Sequence, residues 1–204
     1  MKNLVFYSGP HGSGKTTLIS NLIQENIFLL ENDFDINFLE NFKTIKVMSD
    51  FERCLLRLYH RIYVQNYATS KIKKNKTILV SRSVYDSFAY VETYYQLGKI
   101  SEKEFNIVNK IKDSYSDLPK TVILNPSVEI IMKRLKKRFE NDERPERKEI
   151  FNAEDRIEFV SLLHDNFSKY KNDSNILYLE NNEVEDRLKI KKWILEENKG
   201  MLNE

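Results

Sequence analysis

Gly9-Pro10-His11-Gly12-Ser13-Gly14-Lys15-Thr16 fits the pattern G-x-x-x-x-G-K-[ST]. Three of the chain's five glycines fall within these eight residues. Glycine lets successive backbone N–H groups turn inward on an anion, at a bend a side chain would block. Lys15 is expected to reach the β- and γ-phosphates, and Thr16 to offer its hydroxyl to Mg²⁺. The implied ligand is a nucleoside triphosphate.

The flanks agree with the motif. Lys2 to Ser8 (KNLVFYS) reads as a strand, and Gly14 to Glu25 places Leu18, Ile19, Leu22 and Ile23 at helical spacing. Strand, glycine loop and helix is the required order, and the helix N-terminus favours phosphate. Further along, Ile27–Glu31, Thr77–Ser81, Thr121–Leu124 and Ile176–Glu180 read as strands. Between them lie helical patterns. Ser49-x-x-Glu52 opens a long helix to about Lys71, Ser83 to Leu97 is closed by Gly98, and Ser101-x-x-Glu104 opens a helix to about Tyr115. Asn125 is expected to cap a helix that has Pro126 at its first position and runs to about Glu140. A charged connector over 141–150 precedes a helix to about Tyr170, and Glu183 to Asn198 reads as the last helix. This β-α alternation predicts an α/β fold of three layers, α/β/α, with a parallel five-stranded sheet. Ligands in such folds bind beyond the carboxyl ends of the strands. The positions to inspect are therefore the glycine loop, Glu31 and Asp33, Ser81 and Arg82, and Asn125.

Composition bounds the partners. The 204 residues suit one domain, carry a net charge of +2, and are 31% charged and 41% apolar. Near-neutral charge does not imply a broad nucleic-acid-binding face. Cys54 is the only cysteine. It cannot form an internal disulfide and fits a reducing, cytoplasmic setting. The first apolar run is broken at Ser8-Gly9-Pro10, so no signal-peptide pattern is expected. No stretch approaches the roughly 20 apolar residues that span a bilayer, so no membrane partner is expected.

Beyond the glycine loop, Ser81-Arg82-Ser83-Val84-Tyr85 follows a strand directly. Arginine at a helix start opposes the helix dipole, which points to an anionic partner for Arg82. With Ser87-Phe88-Ala89-Tyr90, Gly98-Lys99-Ile100-Ser101-Glu102, Thr121 to Arg138 and Glu158 to Tyr170, the chain resembles the deoxynucleoside kinase and thymidylate kinase superfamily of P-loop kinases over most of residues 1–180. The resemblance implies one kinase domain over 1–204 with a helical lid at about 134–151. It implies ATP and Mg²⁺ as cofactors and a small nucleoside or nucleotide as acceptor. Gly9, Gly12, Ser13, Gly14, Lys15, Thr16 and Thr17 would bind ATP. Arg134 matches the lid-helix arginine that packs on adenine, and Arg138 the one that stabilises the transferring phosphate. Arg144 and Arg147 lie in a lid-like loop without a secure counterpart. Glu31 stands where deoxynucleoside kinases keep the glutamate that takes the proton from the sugar 5′-hydroxyl. Arg57, Arg82 and Tyr90 join Glu31 as expected acceptor contacts; His60 and Gln65 are further candidates for base selection. Related kinases are often homodimers through helices flanking the site.

One departure stands out. The family's acid before the arginine, which helps hold Mg²⁺ through water, is Ser81 here, and the strand from Thr121 is followed by the neutral Asn125. Glu31, Asp33 and Asp86 are the candidate replacements. Three readings follow: a kinase that phosphorylates the 5′ position of a deoxynucleoside, a thymidylate-type monophosphate kinase, and a regulatory ATPase with no small acceptor. The first is preferred, because Glu31-Asn32-Asp33 stands where a thymidylate-type Arg-Glu-Pro is required. Asn109-Lys110-Ile111-Lys112 lacks the aspartate of a guanine-binding motif.

Overall fold

In the computed structural model of the chain, which describes residues 4–22, 27–29, 47–72, 77–141, 153–180 and 184–199, successive strand residues turn to opposite faces of one sheet. The elements run β1 (Leu4–Ser8), α1 (Lys15–Ser20), β2 (Ile27–Leu29), α2 (Asp50–Ser70), β3 (Thr77–Ser81), α3 (Val84–Gln96), α4 (Glu102–Ser114), β4 (Thr121–Leu124), α5 (Val128–Glu140), α6 (Ile157–Ser168), β5 (Ile176–Leu179) and α7 (Val184–Lys199). The sheet is five-stranded in the order β2-β3-β1-β4-β5, and every pairing is parallel. The predicted α/β sheet is therefore present.

Period-two burial explains the layers. On one face Leu4, Phe6, Ile78 and Val80 meet Val64 and Ala68 of α2. On the other, Val5, Tyr7, Leu79, Val122 and Leu124 meet Leu18 and Ile19 of α1 and Ile190 and Ile194 of α7. The α2 side continues into the largest cluster, where Leu58, Phe88, Val108, Leu163 and Phe167 bring together α2, α3, α4 and α6. Cys54 packs here too, and burial pushes its thiol up to about 12, so it serves as an apolar side chain. Among the described residues no helix is long and apolar enough to cross a membrane.

The capping boxes expected at Ser49/Glu52 and Ser101/Glu104 are both formed, and Gly98, at φ 64°, closes α3. Two local expectations are corrected. Helix α1 stops at Ser20 rather than Glu25, because Leu22 N–H donates to the Ile19 carbonyl (2.9 Å) and tightens the last turn. Asn125 does not cap α5. Ser127 is the cap, its hydroxyl accepting from Ile130 N–H, and the helix starts at Val128. Asn125 is instead buried, donating to the His164 carbonyl (2.9 Å) and the Tyr178 hydroxyl (2.7 Å). It ties the end of β4 to α6 and β5. The expected lid overlaps α5 as far as Asn141; residues 142–151 lie outside the described residues.

These different roles give different costs. Ser127→Ala should lower the unfolding free energy by about 1 kcal/mol, the value of a cap. Asn125→Ala should cost about 2–3 kcal/mol, because it strands buried partners. Urea titration of both variants decides; no loss for Ser127→Ala beside a loss of about 1 kcal/mol for Asn125→Ala would return the capping role to Asn125.

Candidate active site

The centre of the sheet places the glycine loop. β1 lies between β3 and β4, and the loop leaves its carboxyl end. Gly9 has φ 136°, and a Cβ there would stand 2.1 Å from the Leu124 carbonyl oxygen of β4. The chain passes only as glycine. Gly12 (φ 80°) and Gly14 (φ 99°) are also left-handed, and Gly12 is seated on Leu135 and Ile131 of α5. Lys15 is buried and curls over the loop, its Nζ donating to the Gly9 carbonyl (2.9 Å), the Pro10 carbonyl (2.7 Å) and Ser13 Oγ (3.2 Å). The ammonium is thus centred on the cradle. Thr16 and Thr17 lie beside it with exposed side chains.

Helix α5 grips the same loop. Arg134 donates to the Ser13 carbonyl and, at 3.5 Å, to that of Gly12. Partial burial and then Arg138, one turn away, lower its pKa. The resemblance gave Arg134 to adenine; here its guanidinium also braces the phosphate loop. Arg138 is half-buried in the last turn of α5.

Arg82 follows β3 on the other side of β1. Its backbone is left-handed (φ 67°), and its N–H donates to the Tyr7 carbonyl at 2.7 Å. A non-glycine residue held there stores about 1–3 kcal/mol, which the surroundings must offset. Asp86 Oδ1 accepts from the Arg82 guanidinium at 2.8 Å, while Asp86 Oδ2 accepts from Ser83 N–H at 3.0 Å. Ser83 and Asp86 thus form a capping box that opens α3. Burial works against the Arg82 charge, but Tyr90 and Asp86 outweigh it and raise its pKa. Asp86 is itself buried and committed to these partners. It is not an open carboxylate for a metal, and among the described residues no cluster of acids or histidines could hold one.

Tyr90 is the pivot of the wall beyond. Arg82 lies 5.9 Å and Arg57 5.6 Å from its ring centroid. Arg57 Nη1 pairs with Glu154 Oε1 at 2.9 Å, and the Tyr94 hydroxyl donates to the same oxygen at 2.5 Å. Burial alone would raise the Glu154 pKa; Arg57, the Tyr94 hydrogen bond and His11 overcome it and hold the carboxyl below its ordinary range. From the glycine loop, His11 Nδ1 meets the Tyr90 hydroxyl at 2.8 Å, and His11 Nε2 lies 3.1 Å from Asp155.

The structure thus brings Lys15, Arg134, Arg82, Arg57 and Tyr90 to one end of the sheet. It does not bring Gln65 there: its amide donates to the Asp117 carbonyl near Leu4 and Lys120, at the amino ends of the strands. His60 is a buried residue of α2. Glu31, Asp33, Arg144 and Arg147 lie outside the described residues. Sequence reasoning missed Glu154 and Asp155, because two acids in a charged stretch look like a solvated face. It also missed His11, whose contacts are long-range.

A sequence model described as deoxynucleoside kinase matches residues 7–200. No curated protein matches the chain. Among solved structures, the chain is similar to a deoxyadenosine kinase from M. mycoides with bound dATP, at TM-score 0.64 and 16% identity over 94% of this chain and 98% of that one. It is also similar to a thymidylate kinase from Candida albicans, at TM-score 0.66 and 20% identity over 97% of this chain and 92% of that one. At these identities the likeness concerns the fold.

The Glu154 pair has a pH signature. A carboxyl whose folded pKa is depressed adds stability above its unfolded value and loses it as pH falls through the folded one. Glu154→Gln should therefore cost about 3 kcal/mol at pH 7, leaving the half-buried Arg57 without its counter-charge, and progressively less below pH ~4. Chemical denaturation across pH 3–7 checks this; a cost that does not change with pH would contradict the pairing.

Proposed function

The chain belongs to the deoxynucleoside kinase family, and from that premise we propose that it moves the γ-phosphate of ATP to the 5′-hydroxyl of a deoxynucleoside. The observation that carries the choice of acceptor is charge matching around Tyr90. Arg57 is paired with Glu154 and Arg82 with Asp86. An acceptor that already bears a phosphate demands surplus positive charge. Here each arginine of the wall brings its own carboxylate, which favours an uncharged nucleoside over a monophosphate.

The residues divide the work as follows. Gly9, Gly12, Ser13 and Gly14 present backbone N–H groups to the triphosphate, with Thr17 alongside. The fit rests on the left-handed glycines and on Lys15 centred over the loop. Lys15 leaves the loop carbonyls for phosphate oxygens. The Thr16 hydroxyl would hold Mg²⁺, which would supply neutralisation of phosphate charge. Arg82 and Arg138 hold the charge that develops on the transferred group. Glu31 takes the proton from the 5′-hydroxyl. Tyr90 and Arg57 form the wall against the acceptor. Almost all the acceleration in such a site comes from positioning and electrostatics. The lone, buried Cys54 fits a reducing, cytoplasmic setting.

Lys15→Ala tests the reading. Transfer from ATP to deoxynucleosides, followed by ADP release, should fall by about 10³-fold, in line with the loss of a major charge-stabilising group. The thermal midpoint should fall modestly, because the Gly9 and Pro10 carbonyls lose their donor, and far less than the rate does. Retention of full turnover would contradict the mechanism.

A further inference from the structure

Resting on the role given to Arg82 above, we propose that Asp86, from the first turn of the helix, is the positioning residue that makes Arg82 usable. Three observations converge. Arg82 sits in a backbone conformation that non-glycine residues rarely hold (φ 67°), so the direction in which its side chain leaves β3 is set by the surrounding fold. Asp86 constrains the guanidinium with one oxygen at 2.8 Å, while the other oxygen, 3.0 Å from Ser83 N–H, fixes the carboxylate itself. Asp86 is buried, so the constraint is not loosened by water.

The constraint is continuous with the rest of the site. Ser83 Oγ lies 2.7 Å from Ser8 Oγ, at the end of β1 just before the glycine loop. Arg82 N–H holds the neighbouring Tyr7 carbonyl. Asp86 therefore sets the guanidinium against the strand that launches the phosphate cradle. The aspartate touches neither nucleotide nor acceptor in this account; it acts through Arg82. Asp86 reaches back to Arg82 from the first turn of α3, which opens with Ser83 as cap.

A double-mutant cycle separates this role from a merely structural one. Asp86→Asn keeps an oxygen for Ser83 N–H and removes the charge from Arg82. In the full chain it should lower kcat about 10–100-fold, the range for a residue orienting a functional group, with KM for ATP changed less than threefold. Arg82→Ala should lower kcat about 10²–10³-fold. In the Arg82→Ala background, Asp86→Asn should cost nothing further. An equal loss from Asp86→Asn in both backgrounds would overturn the proposal alone. Undiminished turnover in Arg82→Ala would overturn the role of Arg82, and the proposal with it. If Asp86→Asn fails to fold, Asp86→Glu, an ordinary capping-box acid with its carboxylate displaced by one methylene, carries the same cycle with the same outcomes.

Discussion

The site depends on one close approach: the backbone at Gly9 passing beneath the Leu124 carbonyl, where a Cβ would stand at 2.1 Å. No other residue can leave β1 at that point. Because the chain does leave there, the loop doubles back through left-handed turns at Gly9, Gly12 and Gly14, and its carbonyls leave the strand pattern. Those carbonyls then need partners. Lys15 takes two of them from within, and Arg134 braces two from α5. A steric constraint on one strand end thus becomes an electrostatic device, and the same lysine that satisfies the loop is the group a triphosphate would recruit.

The second organising fact is that positive charge beyond the loop is matched locally. Buried guanidinium groups are costly unless paired and hydrogen-bonded. Arg82 and Arg57 meet that condition with Asp86 and Glu154, and both lean on Tyr90. Pairing fixes where each guanidinium points and leaves the wall suited to a polar but uncharged acceptor. His11 joins this wall to the phosphate loop through the Tyr90 hydroxyl, so the two halves of the site share a side chain.

The sheet, its helices and the glycine loop were legible in the sequence because each is a local signal: apolar runs, capping boxes and glycines at fixed spacing. Arg82 was legible for the same reason, as a cation at a helix start where the dipole disfavours it. What escaped were features decided by distant partners. Asn125 looks like a cap by its place before Pro126. It is claimed instead by the His164 carbonyl and the Tyr178 hydroxyl, 39 and 53 residues away in the chain, and Ser127 caps the helix. Gln65 looks like a base selector by type but sits at the other end of the sheet. Glu154 looks like one charge among many until the fold sets Arg57 beside it. Local rules place elements; the matching of charges across them is a property of the assembled fold.

Charge matching at the wall implies a site that receives an uncharged acceptor. The direct measurement is kcat/KM for a deoxynucleoside and for its own 5′-monophosphate, with ATP saturating, using whichever base supports turnover. The nucleoside should be preferred by at least about 100-fold, the order of the cost of placing an unmatched charge beside paired ones. Preference for the monophosphate would contradict it.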